Sequence, residues 1–296
     1  MKIKILTATF NNGKLLISLY KSLINQNDLD FEWIIVDDGS TDDTNSIVTE
    51  FINKEIIKIN YIFQINGGKS KAINNGLLQI DGDDFVLIVD ADEELSQNAV
   101  SKVKEYVEKY KNDNVGVIHF NRFSKNTNKI ISNNDLDEDK YFDYYQWKNE
   151  NFFADGYIGY FGSRIKEENF PIFEGEKYVG PSVLIMKVIK KYLMITAMEA
   201  IGSTEYQIGG ITSQGRKLRL KNPKGSIYYC LQLQNKRCRR TVRYKYSILG
   251  YAYSYYTGLS LNQYYKSIDL KEKLNPILTF PGFLLSVFWK YKYNRK

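Results

Sequence analysis

Short apolar runs alternate with amphipathic helical patterns over the first 120 residues, and this alternation limits the possible folds more than any other feature. Apolar runs of this length, bounded by polar residues, are typical of buried strands. The predicted strands cover 2–10, 31–36, 56–63, a run that begins at Phe85, and 115–120. Strands separated by helices of this length indicate an α/β fold with a parallel sheet and helices on both of its faces.

Helical patterns fill the gaps between these strands. Leu15, Leu19 and Leu23 recur every four residues, which is the period of one helix face. Ser40–Asp43 resembles a capping signal, and Ser96 is predicted to cap a later helix. The predicted helices run through 15–23, from the capping signal to about 51, over 69–79, and from Ser96 to 110.

Polar side chains follow each of the first four predicted strands. In a parallel sheet the carboxyl ends of the strands meet at one edge, and ligands bind in the crevice beyond that edge. We therefore expect these side chains to converge on a single site. The four groups are Thr7 with Thr9, Asp37 with Asp38, Asn66 with Lys69, and Asp90 with Asp92.

The fourth strand ends in the sequence Asp90-Ala91-Asp92, which suits a metal ion. Two carboxylates one residue apart, with a small residue between them, fit a hard divalent cation such as Mg²⁺ or Mn²⁺. On these residues alone, the pair could equally cap the next helix. The sequence contains neither a dinucleotide-binding glycine fingerprint nor a P-loop. Phosphate would therefore be held by a metal and by side chains.

The composition sets the broad class of protein. Apolar residues make up 43% and charged residues 25% of the 296, enough for a sizeable core in one large domain or a domain with an appendage. The sequence has no run of 18 apolar residues and no signal-peptide pattern at its start. Cys230 and Cys238 fit no metal spacing. We expect a cytosolic protein with reduced thiols. His119, in an apolar strand, is interpreted as a core residue.

Four motifs in order resemble the family-two glycosyltransferases, which are inverting enzymes with a GT-A fold and nucleotide-sugar donors. The motifs are Thr7–Asn11, Ile34–Asp42, Asn66–Gly76 and Val89–Asp92. Weaker similarity extends to about residue 220. There, the segment 173–178 resembles the acceptor-side region of the family and 205–210 resembles the strand and loop that follow it.

The resemblance implies a role for each residue of the nucleotide site. Thr7, Thr9, Phe10 and Asp38 would hold the base and ribose, and a carboxylate that accepts from the N3–H of uracil favours a UDP donor. Lys69 and Lys71 would approach the diphosphate or the base. Asp90, beside Ala91, would contact ribose or a metal-bound water, and Asp92 would bind Mn²⁺ or Mg²⁺ on the diphosphate.

An inverting transfer also needs a base for the acceptor hydroxyl. In the family this is an Asp or Glu a few residues beyond the position of Glu174, but Val179–Val183 contains no carboxylate. The remaining candidates are Glu176, then Glu174, then Asp155. If none of them reaches the acceptor, the chain would be a degenerate member of the family that binds nucleotide only.

The segment from Lys236 onward has a different composition from the rest of the chain. It carries 13 Lys/Arg and 2 Asp/Glu, a net charge of +11, whereas the remaining residues carry 28 and 32, a net charge of −4. Tyr244, Ile248, Tyr251 and Tyr255 lie about one turn apart and predict a helix. Residues 276–289 are nearly all apolar, but short and interrupted by prolines.

Basic flanks around a short aromatic stretch suit a segment lying on an anionic membrane surface. An alternative is a helical cap that packs on the catalytic domain or on a second subunit as a homodimer. Nucleic-acid binding would explain the charge but leaves the apolar stretch unexplained, so we expect no nucleic-acid partner.

Together these features predict a GT-A domain over 1–228, with a nucleotide-sugar half (1–120) and an acceptor half (121–228), and a helical extension over 229–296. The predicted activity is metal-dependent transfer of a hexose or N-acetylhexosamine from a UDP-sugar to a glycan or lipid-linked glycan hydroxyl. The resemblance places it in bacterial surface polysaccharide assembly, in the cytoplasm at the inner face of the membrane. A nucleotidyltransferase is a weaker alternative, because 9–13 is not a glycine-rich, basic loop.

Overall fold

A computed structural model describes residues 1–133, 136–205 and 211–293. Residues 206–210, which belong to the predicted strand and loop 205–210, therefore lie outside the described residues. The chain divides into two compact units. The sheet unit comprises Met1–Asp143, Phe152–Phe170 and Lys187–Gln207, and the helical unit comprises Tyr144–Asn151, Pro171–Met186 and Ile208–Lys296. The predicted domain limit at 228 falls inside a helix (Pro223–Gln232) and stays a prediction.

The strands and helices of the described residues follow in chain order. The strands are β1 (Lys2–Thr9), β2 (Phe31–Asp37), β3 (Lys58–Phe63), β4 (Asp84–Ile88), β5 (Glu93–Leu95), β6 (Val115–Ser124), β7 (Gly156–Phe161) and β8 (Leu193–Thr204). The helices are α1 (Gly13–Ile24), α2 (Thr44–Asn53), α3 (Lys69–Leu77), α4 (Ala99–Tyr110), α5 (Tyr144–Glu150), α6 (Gly162–Ile165), α7 (Ser182–Val188), α8 (Ile211–Lys221), α9 (Pro223–Gln232), α10 (Arg240–Thr257), α11 (Leu261–Lys266), a 3₁₀ turn (Pro276–Leu278) and α12 (Thr279–Tyr293).

The sheet has the order β3-β2-β1-β4-β7-β6-β8-β5. The four strands that carry the predicted site, β3, β2, β1 and β4, run parallel as predicted. Beyond β4 the sheet is mixed, because β7 pairs antiparallel with both β4 and β6. Strand β7 was not predicted from the sequence, and its Gly159 lies under the ring of Phe85. A Cβ added there would lie 2.3 Å from Phe85 Cζ, so the glycine lets the two strands pack closely.

The core of the sheet unit forms between the sheet and its helices. Of the three leucines whose spacing predicted one helix face, Leu19 and Leu23 of α1 are buried and Leu15 is half-buried. Trp33 of β2 is also buried, with the rings of Tyr20 and Phe51 stacked beside it. This packing fixes β2 against two helices and thereby holds the polar ends of β1 and β2 in register.

Helix boundaries correct two predictions. Ser96 does not cap α4, because its hydroxyl donates to the carbonyl of Ile201 at 3.0 Å in β8, and the helix starts at Ala99. The apolar stretch near the C-terminus is not interrupted at Pro281, because α12 runs through it. Proline in the first turn of a helix lacks only an N–H that has no intrahelical acceptor.

Candidate active site

The register of the parallel strands brings the predicted polar groups to one edge of the sheet. Thr9 lies beside Asp37, and Asp37 lies beside Phe63 at the end of β3. On the other side of β1, Leu6 pairs with Ile88, two residues before Asp90. The strand ends therefore converge as the alternation predicted.

Asp38 ties the ends of three elements together. Its Oδ1 accepts hydrogen bonds from Gln64 Nε2 at 2.7 Å and Gly67 N at 2.8 Å, and its Oδ2 accepts from Gly68 N at 2.7 Å. Its own N–H donates to the carbonyl of Thr9 at 2.8 Å. A carboxylate offers about four acceptor positions. Asp38 thus uses three of them to shape the loop before α3, leaving about one for a ligand.

The turns that follow β1 and β2 hold each other in place. Asn11 Oδ1 accepts from Thr41 N at 2.8 Å, and Asn11 N donates to Ser40 Oγ at 2.8 Å. Behind them Asp37 accepts from Tyr61 at 2.7 Å and from Ser40 N at 2.7 Å. Burial, together with the Asp37 carboxylate, raises the pKa of Tyr61, which keeps this phenol a hydrogen-bond donor.

The three predicted binding residues at the end of β1 and just after it have different surroundings. Thr7 is fully buried, and its hydroxyl accepts from Trp33 Nε1 at 3.0 Å. Thr9 is also buried, but its Oγ1 has no hydrogen-bond partner among the described residues. Phe10 is 45% exposed at the end of the strand. Phe10 is therefore accessible to a flat ligand, whereas the Thr7 hydroxyl is part of the core.

Lys69, the first residue of α3, forms an ion pair with Asp90. Its Nζ lies 2.6 Å from both carboxylate oxygens. Burial opposes ionisation of Asp90, but the charges of Lys69 and Arg122 outweigh it and lower the pKa of Asp90. Lys71 is exposed, and its chain packs over Gly67. A charged amine thus stands directly at the first aspartate of the predicted metal motif.

Asp92 lies one residue beyond Asp90, with buried Ala91 between them. Burial raises the pKa of Asp92, and the negative charge of Asp90 raises it further. Within the described residues, no cluster of three or more Asp, Glu, His or Cys side chains could hold a metal ion. Two carboxylates would need oxygens from a substrate diphosphate, which is how Mg²⁺ is commonly bound. The donor set fits such a shared cation, whose charge would ease the repulsion at Asp92.

An arginine that was not predicted from the sequence lies behind this turn, with its side chain 11% exposed. Arg122 of β6 forms ion pairs with Glu93 and with Asp155. Glu93 in turn accepts from the backbone N–H of Asp90 at 2.9 Å. Asp155, a predicted candidate base, is therefore held by a guanidinium. A charged residue two positions beyond the apolar run 115–120 was the available signal, but its partners lie far away in the sequence.

The other two predicted bases belong to the helical unit. Glu176 Oε1 accepts from Lys224 N at 2.7 Å and Oε2 from Gly225 N at 2.9 Å. Its carboxylate thus caps the N-terminus of α9, and a helix N-terminus favours a negative charge. Burial raises the pKa of Glu176, although these two N–H groups act against the rise. Glu174 is exposed, and its backbone carbonyl accepts from Lys224 Nζ at 3.0 Å.

Comparison with known proteins identifies relatives over the first part of the chain. A family model described as Glycosyl transferase family 2 matches residues 4–167. The poly(ribitol-phosphate) beta-N-acetylglucosaminyltransferase TarS of Staphylococcus aureus is 32% identical over 115 residues, which are 38% of this chain and 20% of that protein. A GalNAc(5)-diNAcBac-PP-undecaprenol beta-1,3-glucosyltransferase of Campylobacter jejuni is 38% identical over 106 residues, 35% of this chain and 34% of that protein. The similarity therefore spans about a third or less of these relatives.

Solved structures resemble nearly the whole chain. Residues 1–349 of S. aureus TarS in complex with UDP-GlcNAc superpose with a TM-score of 0.63 at 18% identity, covering 97% of this chain and 79% of that one. The mannosyltransferase PcManGT from Pyrobaculum calidifontis, in complex with GDP-Man and Mn²⁺, gives a TM-score of 0.61 at 14% identity, covering 100% of this chain and 88% of that one. At these identities the likeness shows the fold, which is the predicted GT-A fold.

Proposed function

Because this chain belongs to family 2 of the glycosyltransferases, we propose that it transfers a hexose or an N-acetylhexosamine from a UDP-sugar to a hydroxyl group. The observation that carries the proposal is the convergence of Asp38, Lys69 and the Asp90–Asp92 turn on one edge of the sheet. A uridine diphosphate has a matching sequence of groups: a base with an N–H donor, two phosphates and the cation bound to them.

The base is assigned to the end of β1 and to Asp38. The exposed ring of Phe10 offers a stacking surface, and the remaining acceptor position of Asp38 suits the N3–H of uracil. The hydroxyl of Thr9 is buried and has no hydrogen-bond partner among the described residues, and we assign it to a ribose oxygen. Thr7 is reassigned to a supporting position, because its hydroxyl is bonded to Trp33. UDP complexes of TarS support a uridine donor, although the PcManGT complex contains GDP-Man.

The diphosphate is assigned to the lysines and the acidic turn. Lys69 and Lys71 supply positive charge, and Asp92, together with Asp90, would hold Mn²⁺ or Mg²⁺. Such a cation neutralises charge that develops on the leaving diphosphate. Arg122 holds Glu93, and Glu93 holds the backbone of Asp90, so the turn is fixed from behind before any ligand arrives.

The acceptor is proposed to be a glycan or lipid-linked glycan hydroxyl in the assembly of bacterial surface polysaccharide. A lipid-linked acceptor is supported by the Campylobacter relative, a GalNAc(5)-diNAcBac-PP-undecaprenol glucosyltransferase, and TarS is likewise a glycosyltransferase that acts on a polymer, poly(ribitol-phosphate). A place in the cytoplasm at the inner face of the membrane fits a lipid-linked acceptor. Glu176, Glu174 and Asp155 stay the candidates for the base, with an inverted product expected from a direct displacement.

Titration calorimetry with UDP and Mn²⁺ tests the donor site. Asp92→Ala should weaken UDP binding in Mn²⁺ at least 100-fold, about 2.7 kcal/mol, and should leave binding in EDTA unchanged. Asp83→Ala is the matched control, since it removes an exposed carboxylate just before the same strand begins. Equal affinities of wild type and Asp92→Ala in Mn²⁺ would contradict the proposed metal site.

A second candidate function is nucleotide binding without transfer. It is favoured by the absence of a carboxylate in Val179–Val183 and by the bonding of Glu176 to α9. Release of UDP from UDP-GlcNAc discriminates the two. Turnover by wild type that Glu176→Gln, Glu174→Gln or Asp155→Asn abolishes, with unchanged UDP affinity, identifies the base. Tight UDP binding without any turnover, with glycan acceptors present, supports the second function.

A further inference from the structure

The last helix, α12, presents most of its large apolar side chains outward. Gly282 and Ser286 are buried together with Trp289. On the opposite side, Phe280 is 67% exposed and Phe288 is 55% exposed. The exposed set is Phe280, Phe283, Leu284, Val287, Phe288 and Tyr291. This arrangement is the reverse of a helix that covers a protein core.

The inner face of α12 is fixed by its contacts with α10. A Cβ added at Gly282 would lie 2.3 Å from Tyr251 Cβ, so the two helices touch at the glycine. Trp289 packs on Tyr253 with ring centroids 5.1 Å apart, and the guanidinium of Arg216 lies 4.7 Å from the Trp289 ring. Because these contacts hold α12 in one rotation, the apolar side chains are kept outward.

The outward face has a defined width and charged borders. At about 100° per residue, the six exposed side chains fall within an arc of about 140°. Lys290 and Lys292 fall on the two opposite borders of that arc, and both are exposed. Neither α10 nor α12 contains an aspartate or a glutamate. The surface is therefore apolar at its centre and positive at its edges.

We propose that α12 docks this protein on an anionic lipid bilayer, lying flat with its outward face among the upper acyl chains. Lysines bordering an apolar stripe can extend their ammonium groups to lipid phosphates while their methylene stems stay against the chains. A helix of 15 residues is about 22 Å long, too short to cross the hydrocarbon core. None of the described helices is long and apolar enough to span a membrane.

A lipid surface fits this face better than a second copy of the chain. In a twofold-symmetric contact the same patch meets itself, so Lys290 and Lys292 would approach like charges. Neither helix offers a carboxylate to compensate them. Anionic headgroups supply that charge on both borders at once, and they agree with the net charge of +11 from Lys236 onward. The inference does not depend on the transfer reaction.

Vesicle co-sedimentation of the full chain tests the inference. Wild type should bind vesicles of phosphatidylcholine with phosphatidylglycerol, and less so in high salt. Leu284→Glu/Phe288→Glu should reduce the bound fraction at least 10-fold, and Lys290→Gln/Lys292→Gln should weaken binding to anionic vesicles only. Leu78→Glu is the matched control, because Leu78 is 79% exposed at the end of α3, and it should bind like wild type. Circular dichroism and urea unfolding confirm that each variant is folded.

Three results would overturn the inference. Equal binding by Leu284→Glu/Phe288→Glu and wild type would show that α12 does not contact the bilayer. If wild type binds vesicles of phosphatidylcholine alone as well as it binds anionic vesicles, anionic lipid is not required for binding. If wild type is a dimer in light scattering, binds no vesicles, and becomes a monomer in Leu284→Glu/Phe288→Glu, the face is a subunit interface instead.

Discussion

Asp92 in the sheet unit and Glu176 in the helical unit are both half-buried carboxylates, and burial raises the pKa of each. Their neighbours differ. The charge of Asp90 raises the pKa of Asp92 further, whereas two backbone N–H groups act against the rise at Glu176. The carboxylate of Asp92 faces the negative charge of Asp90, whereas the carboxylate of Glu176 already caps the N-terminus of α9. A raised pKa therefore identifies a functional carboxylate only when its partners are known as well.

The largest expected effect concerns Glu93 and Asp155, two carboxylates that already form ion pairs with Arg122. Arg122→Met should lower the free energy of unfolding by about 3–5 kcal/mol, because Glu93 and Asp155 lose a buried guanidinium. Lys109→Met is the control, since its ion pair with Asp139 is 56% exposed on the lysine side and should cost about 1 kcal/mol or less. Urea unfolding measures both. Equal losses would mean that Arg122 does not fix the turn.

Thr7 and Thr9 compare, within one strand, a side chain that already has a hydrogen-bond partner with one that has none among the described residues. Thr7→Val should cost about 1–3 kcal/mol, because it leaves the indole N–H of Trp33 without an acceptor. UDP affinity should not change. Thr9→Val should do the opposite, with little effect on urea unfolding and weaker UDP binding by calorimetry, since its hydroxyl has no partner among the described residues. Reversed results would indicate that Thr7 binds the nucleotide and that Thr9 does not.

Glu176 should behave as a helix cap. Glu176→Ala should lower the free energy of unfolding by about 1–2 kcal/mol, as the loss of an N-cap does. Glu174→Ala, two residues away and exposed, should stay within about 0.5 kcal/mol of wild type. Thermal and urea unfolding provide the comparison. If Glu176→Ala is as stable as Glu174→Ala, the carboxylate is free to take part in chemistry.

The smallest effect concerns pH. Since the folded state raises the pKa of Asp92, ionisation of this residue weakens folding once the pH exceeds its ordinary value near 4. Without metal, Asp92→Asn should be more stable than wild type at pH 7, by less than about 1 kcal/mol because water screens the pair. At pH 3 the two should be equal. Added Mn²⁺ with UDP should raise the Tm of wild type alone. A less stable Asp92→Asn at pH 7 would contradict the repulsion from Asp90.

The local part of the site could be predicted from the sequence, because strands and polar turns are encoded in short stretches. The Asp90–Asp92 turn follows from adjacent residues, and the parallel direction of β1 to β4 follows from the alternation of strands and helices. The contact between Lys69 and Asp90 joins two such stretches, and the common sheet edge made it reasonable to expect both at one site.

Contacts between distant segments could not be predicted. Ser96 has the local signature of a cap, but the pairing of β5 with β8 places it beside Ile201 instead. The ion pairs of Arg122 and the capping bonds of Glu176 join residues roughly 30 to 50 positions apart. Composition and periodicity contain no information on which of many carboxylates such a donor meets.

The short link from β4 to β5 has a mechanical consequence. These strands stand four places apart in the sheet, about 19 Å if the sheet were flat. The four residues 89–92 can bridge about 18 Å at full stretch, and they contain a turn in which Glu93 N bonds to Asp90 O. The sheet must therefore curl until the edge strand β5 approaches the central strand β4. The turn at Asp90–Asp92 is the covalent link between these two strands. A ligand that moves this turn therefore acts on the centre of the sheet and on one of its edges at the same time.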